Sequence, residues 1–222
     1  MSGGFFLAIE GSEGAGKSTL IQGVAAEFER SGVRPLVVRE PGGTPVAERI
    51  RALLLDPTEP IGPASELFLF LAARADLVER VIRPALAAGR TVLADRFHLS
   101  TEAYQAAGRG LDLAFVRLAN RVATGDTVPH LTLVLDLPPE VGLERLRRQG
   151  QRLDRIERED AAFHIRVGAF FSAARGPDIL HLDGTRTPEQ VLRAAWQAIV
   201  ARLPAAGGAG PHQAPRGDGE GA

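Results

Sequence analysis

Gly11, Ser12, Glu13, Gly14, Ala15, Gly16, Lys17, Ser18 and Thr19 stand in unbroken order near the start of the chain. Glycine, four free positions, glycine, lysine and serine form the Walker A pattern of a phosphate-binding loop. The pattern constrains the fold because it works in one setting, with a strand before it and a helix after it. Phe5-Phe6-Leu7-Ala8-Ile9 precedes the loop as an apolar run of strand length, and Leu20, Ile21, Val24 and Phe28 follow at helical spacing. Gly11, Gly14 and Gly16 let the backbone bend and bring its N–H groups to phosphate oxygens. The helix N-terminus adds partial positive charge there. Lys17 can reach the β and γ phosphates, and Ser18 can offer its hydroxyl to Mg²⁺. The chain is therefore expected to bind a nucleoside triphosphate.

At 222 residues the chain suits one α/β domain, and its 45% apolar content supports a core. A formal charge of −1 gives no electrostatic case for nucleic acid or an anionic membrane. With no cysteine there is no disulfide and no thiolate metal site. No run approaches the ~20 apolar residues that cross a bilayer, and no basic segment with an apolar signal core opens the sequence. A cytoplasmic protein is the expectation.

Short apolar strands alternate with helical patterns, which predicts a three-layer α/β/α fold around a mostly parallel five-stranded sheet. The strands are expected at 5–10, 35–39, 91–95, 131–137 and 179–182. Helices are expected from Gly16 to the Ser31-Gly32 cap, from Thr44-Pro45 to Leu55, over 65–88 with an interruption at Pro84, over 112–124, and from Thr187-Pro188 to Leu203. Residues 1–203 form the expected domain. Residues 204–222 hold Gly, Pro, Ala and scattered polar residues with nothing large and apolar to bury, and read as a disordered tail.

Three further segments have the residue types for phosphate chemistry. Arg39-Glu40-Pro41-Gly42-Gly43-Thr44 follows the second strand at its carboxyl end, where ligands bind in such sheets; the same residues also make an ordinary turn. Asp95-Arg96 ends the third strand. Asp95 can hold Mg²⁺ or its waters opposite Ser18, and Arg96 can offset phosphate charge. Arg145, Arg147, Arg148, Arg152 and Arg155 surround Gly150. They read either as a mobile arginine-bearing lid that closes over the triphosphate or as a solvated basic face balanced by Glu144, Glu157 and Glu159.

Six segments in this order resemble the bacterial thymidylate kinase family, a branch of the nucleoside monophosphate kinase-like P-loop NTPases. They are Ile9 to Thr19, Arg39 to Thr44, Leu69 to Arg74, Asp95-Arg96-Phe97, Ser100 to Gln105 with Gly108-Arg109-Gly110, and Leu153 to Glu157. The first is generic to P-loop proteins; the other five are specific, and the resemblance covers about Phe5 to Leu203. It implies transfer of the γ-phosphoryl of ATP to dTMP with Mg²⁺, in a homodimer. Glu13 would accept from the sugar 3′-hydroxyl. Phe70 would stack on thymine and Arg74 would bond the base edge, with Ser100, Thr101 and Gln105 nearby. Tyr104 would disfavour a 2′-hydroxyl. Arg39 and Arg96 would face the dTMP phosphate. The P-loop carries no arginine of its own, so a lid spanning about 139–158 would supply one: Arg145, Arg147, Arg148, Arg152 and Arg155 are all candidates, Arg155 is the best anchored in register, Arg155 and Arg148 are assigned to catalysis and Arg145 to ATP.

Phe97 stands where Tyr or His is familiar in the family, and the spacing around Arg147-Arg148 and Gly150 does not align with the family's lid. The residues alone leave Phe70 as either a base-stacking or a core aromatic. A small P-loop kinase for another nucleotide or a deoxynucleoside is the nearest alternative. A GTP-dependent switch is more distant: it needs Asn-Lys-x-Asp, and the only asparagine, Asn120, is followed by Arg121.

Overall fold

The computed structural model describes residues 4–148 and 153–203. Lid positions Gly150 and Arg152 and the 204–222 tail lie outside the described residues. Five strands, β1 (Phe6–Gly11), β2 (Leu36–Arg39), β3 (Val92–Asp95), β4 (Leu131–Asp136) and β5 (Ile179–Asp183), form one sheet in the order β2-β3-β1-β4-β5. Every pairing is parallel. All six residues of β1 are buried, as a central parallel strand covered on both faces requires.

Alternation along β1 divides the core into two layers. Leu7 and Ile9 pack with Leu20, Ile21, Val24 and Phe28 of α1 (Lys17–Arg30) and with Val191, Ala195 and Ile199 of α9 (Pro188–Val200). Phe6 and Ala8 point the other way, to Leu77, Val78 and Ile82. Full burial of each large apolar side chain contributes about 1.5–3 kcal/mol, so the α1 face is a principal anchor of the loop that precedes it.

Helix boundaries follow local chemistry. Thr44 caps α2 (Pro45–Leu55) by accepting from Ala47 N at 3.0 Å. Asp112 caps α6 (Leu113–Thr124), which ends at Gly125 with φ 52°. The helix expected over 65–88 begins earlier, as α3 (Pro63–Leu77). It then widens to a π-helical turn, Val78–Ile82, and continues as α4 (Arg83–Ala87). Pro84 therefore sits in the first turn of α4 rather than in a break. The missing proline N–H and the ring's bulk are absorbed by the wider turn before it. A second π segment, Glu102–Gly108, follows the short α5 (His98–Thr101). After β4 come α7 (Pro139–Arg148) and α8 (Ala161–Ala173). The last was not foreseen; Asp160 caps it by accepting from Phe163 N at 2.7 Å. The carboxyl ends of β1, β2 and β3 open onto one cavity.

Candidate active site

That cavity has a volume of about 710 Å³. It is lined by the P-loop from Glu13 to Thr19 and by Phe70, Arg74, Thr101, Tyr104 and Gln105. Arg39, Asp95, Arg96, Ser100 and Arg145 also line it. Gly11 and Ser12 lie in the backbone that bears the loop.

Gly14 adopts φ 68°, and a Cβ there would fall 2.2 Å from the carbonyl oxygen of Gly142 in α7. A Cβ on Gly142 would in turn fall 2.2 Å from Glu13 O. Two glycines back to back thus let α7 touch the phosphate loop, a close approach that no side chain permits. Lys17, the only lysine in the chain, is buried and donates from Nζ to Ser12 O at 2.8 Å and Gly11 O at 3.1 Å. Burial and the neighbouring Arg96 charge bring its ammonium down to about 8, against the pull of Glu13 and Asp95.

Arg96 joins the loop to the rest of the site. Its backbone has φ 69°, uncommon for a residue with a side chain. From there it donates to Gly11 O at 3.0 Å, Ser100 Oγ at 3.1 Å and Glu13 Oε1 at 2.7 Å, and its guanidinium lies 5.0 Å from the Tyr104 ring centroid. Tyr104 donates its hydroxyl to the same Glu13 oxygen at 2.8 Å. Burial would raise the Glu13 carboxyl, but Arg96 and Lys17 outweigh it and hold Glu13 at about 2. The Glu13 carboxylate in turn keeps Arg96 firmly charged despite its burial. Behind this pair, Glu10 accepts from Phe97 N, Ser100 N and Ser100 Oγ. Burial dominates there and pushes Glu10 up to about 6.

At the carboxyl end of β2, exposed Arg39 pairs with Glu48 at 2.9 Å. Arg51, which has no motif to mark it, lines the cavity and donates to Pro41 O at 2.9 Å. Arg74 is buried and paired with Glu40, whose second oxygen, Oε1, is buried with no partner among the described residues. Burial raises the Glu40 carboxyl against the Arg74 charge. Phe70 is half-buried on the cavity wall. Gln105 donates to Glu66 Oε1 at 2.8 Å. Asp154 and Glu157 also line the cavity, and burial raises both carboxyls. Arg51, Asp154, Glu157, Arg186 and Gly142 are site residues that sequence reasoning did not assign. Asp154 and Glu157 lie within the Leu153–Glu157 segment and Gly142 within the 139–158 span, but no role was assigned to them there; Arg51 and Arg186 lie outside every segment singled out.

Among the described lid arginines, Arg145, Arg148 and Arg155 take different partners. Arg145 reaches the loop, donating to Gly14 O at 3.4 Å and Gly184 O at 3.3 Å. Arg148 is exposed and pairs with Glu144 at 2.9 Å. Arg155 turns away: it meets fully buried Glu66 at 2.7 Å and donates to Leu54 O at 2.8 Å. Neither Arg148 nor Arg155 lines the cavity in this structure. Arg155 lies in a turn outside α7, so helical spacing does not carry from Arg145 and Arg148 to it.

Exposed Ser18 and half-buried Asp95 supply two oxygen donors beside Lys17. That set suits Mg²⁺, which is held by one or two protein oxygens and takes its remaining ligands from phosphate and water.

The thymidylate kinase family model matches residues 9–195. A thymidylate kinase from Deinococcus radiodurans is 44% identical over 205 residues, covering 91% of this chain and 99% of that protein. One from Cereibacter sphaeroides is 50% identical over 206 residues, covering 89% and 94%. One from Thermomicrobium roseum is 47% identical over 199 residues, covering 88% and 94%.

Proposed function

The chain belongs to the thymidylate kinase family, and from that premise we propose how its cavity carries the reaction. It is an ATP-dependent nucleoside monophosphate kinase that phosphorylates dTMP to dTDP. An oxygen of the dTMP phosphate attacks the γ-phosphorus of ATP in line, and the bond from that phosphorus to the β–γ bridging oxygen breaks. The acceptor phosphate is ionised near neutral pH, so the site needs no strong general base. Its task is to position two anions and offset their charge.

The observation that supports this most is the placement of Arg96. It bonds the carbonyl of Gly11 on the donor loop and the carboxylate of Glu13 while lining the cavity that both substrates share. Lys17, Arg96 and Arg145 serve the donor phosphates; Arg39 and Arg51 serve the acceptor phosphate. Ser18 and Asp95 would hold Mg²⁺, whose contribution there is to neutralise charge on the β and γ phosphates. The wall of Phe70, Arg74, Ser100, Thr101 and Gln105 receives the base, and Glu13 with Tyr104 receives the sugar. Residues of about 139–158 act as a lid that excludes water.

Phe115, Leu118 and Val122 expose one apolar face of α6, with Phe68 exposed on neighbouring α3. We read this face as the contact of a homodimer, to be tested by light scattering with Val122→Glu, which should yield monomers. No helix among the described residues is long and apolar enough to cross a membrane, and the reading places the enzyme in the cytoplasm.

The direct test is ADP formation from ATP and Mg²⁺ with dTMP, dUMP, UMP, CMP, GMP, AMP and thymidine offered separately. Strong preference for dTMP supports the reading. Preference for another acceptor overturns the base and sugar assignments.

A further inference from the structure

β1 is a central strand covered on both faces, and its alternation sends Phe6, Ala8 and Glu10 to one side. Phe6 and Ala8 pack there with Phe97. Glu10 brings a carboxylate to the same fully buried face. Its partners among the described residues are uncharged: Oε1 accepts from Phe97 N at 2.8 Å and Ser100 N at 3.1 Å, and Oε2 accepts from Ser100 Oγ at 2.5 Å. A buried carboxylate with no cation bonded to it lowers stability, so packing does not explain its presence in an apolar layer. Both partner residues follow Arg96 directly, and the strand neighbours of Glu10 hold Arg96 itself. Ile9 O accepts from Arg96 N at 3.0 Å, and Gly11 O accepts from Arg96 Nη1 at 3.0 Å. Ser100 Oγ links the two sets: it donates to Glu10 and accepts from Arg96 Nη1 at 3.1 Å. Consecutive residues of one strand thus grip the segment 96–100 by a carbonyl, a carboxylate and a carbonyl.

We propose that Glu10 is a positioning residue for phosphoryl transfer, acting through the segment 97–100 to hold Arg96 in its left-handed conformation with the guanidinium on the cavity wall. This role rests on the reading of Arg96 as a group that serves phosphate. A residue with a side chain stays at φ 69° only where its surroundings over-determine it. Two backbone N–H groups converging on one carboxylate oxygen fix the segment after Arg96. The Ser100 hydroxyl, its hydrogen taken by Glu10, presents lone pairs to Arg96. The strand that leads into the phosphate loop therefore also sets the arginine. What matters is the reach of the Glu10 side chain and not its charge. Gln places an acceptor at the same point, whereas Asp falls one methylene short.

The test is steady-state kinetics with ATP and dTMP, with thermal melts, for the wild type, Arg96→Ala, Glu10→Gln, Glu10→Asp and the Glu10→Asp/Arg96→Ala double variant. Arg96→Ala should lower kcat about a hundredfold; without that loss the reading of Arg96 falls, and the role of Glu10 with it. Given that loss, the Glu10 variants decide the inference separately. Glu10→Asp should lower kcat about tenfold, because a small misplacement of Arg96 is felt in the transition state. Glu10→Gln should stay within about threefold of wild type, less than the loss of one typical hydrogen bond. The double variant should be no slower than Arg96→Ala, because both changes act through one guanidinium. A lower melting temperature with unchanged kcat in Glu10→Asp would leave Glu10 a structural residue. A greater kcat loss in Glu10→Gln than in Glu10→Asp would make its charge the cause, and multiplying losses in the double variant would separate it from Arg96. Each of these overturns the inference. Should Glu10→Asp not fold, Ser100→Ala decides. It removes the hydroxyl between Glu10 and Arg96 while both backbone N–H bonds remain, and an unchanged kcat there overturns the inference.

Discussion

Arg96 and Glu13 form an ion pair at 2.7 Å that ties the end of β3 to the phosphate loop, 83 positions away in sequence. Both side chains are largely buried, and Tyr104 bonds the same carboxylate oxygen. The pair fixes the arginine's position on the cavity wall and balances its charge. Glu13→Gln keeps an acceptor for Tyr104 but removes the balancing charge. It should lower kcat/KM for dTMP about a hundredfold, equivalent to about 2.7 kcal/mol of transition-state stabilisation. Steady-state kinetics check this; a loss below threefold would mean that Glu13 only fills space.

Lys17→Ala should nearly abolish turnover, because no other ammonium exists in the side chains of this protein and Nζ is already held over the loop. Lys17→Arg should be almost as damaging, since a planar guanidinium does not fit the position of a compact ammonium bonded to two carbonyls. Coupled ADP assays at saturating substrates measure both. Wild-type rates in either would remove Lys17 from the mechanism.

Two carboxylates of one segment give opposite pH signatures in the unliganded protein. Glu10 has its folded value raised from 4.5 to about 6. Its contribution to stability is fully present below 4.5 and is lost as pH rises through about 6, a change of about 2 kcal/mol. Glu13 has its folded value lowered from 4.5 to about 2. Its contribution is fully present above 4.5 and is lost as pH falls through about 2. Glu10→Gln should therefore abolish the stability lost between pH 4.5 and 6 and leave the acid limb intact. Urea unfolding across pH 3 to 8 shows either outcome; an unchanged profile in Glu10→Gln would mean another group titrates there.

Gly142→Ala should raise local helix propensity by up to about 1 kcal/mol on intrinsic grounds. In this fold it places a Cβ 2.2 Å from the Glu13 carbonyl oxygen, so the phosphate loop or α7 must move. The expected result is an ATP KM raised tenfold or more without a gain in melting temperature. A variant with better stability and normal ATP use would show that the loop and α7 need not touch.

The lid arginines should separate by role. Arg145→Ala should lower kcat and raise KM for ATP, because Arg145 reaches Gly14 and Gly184. Arg148→Ala should stay within about twofold of wild type, since its partner among the described residues is exposed Glu144. Arg155→Ala should act on stability, by about 2–3 kcal/mol, because it removes one of two arginines from fully buried Glu66. Kinetics and thermal melts on the three variants test the division; a kcat loss in Arg148→Ala or Arg155→Ala with unchanged stability would restore that residue to the phosphate path.

The sequence by itself determined the phosphate loop, the strand and helix that flank it, the five strands of a mostly parallel sheet and the caps at Thr44 and Thr187. These are local matters: glycine freedom, apolar period and side-chain capping are settled within a few residues of chain. Helix α8 was legible in principle from Asp160 and the apolar residues after it, but an almost wholly apolar helix lacks the periodic stripe that identifies one. Only the tertiary structure decided which partners each arginine meets. Arg74 meets Glu40, Thr101 and Asn120 across 34, 27 and 46 positions, and Arg155 meets Leu54 across 101. A guanidinium on a long side chain takes whichever carboxylates and carbonyls the fold brings within reach. Its partners are therefore a property of the packed sheet and helices and not of its neighbours in the chain.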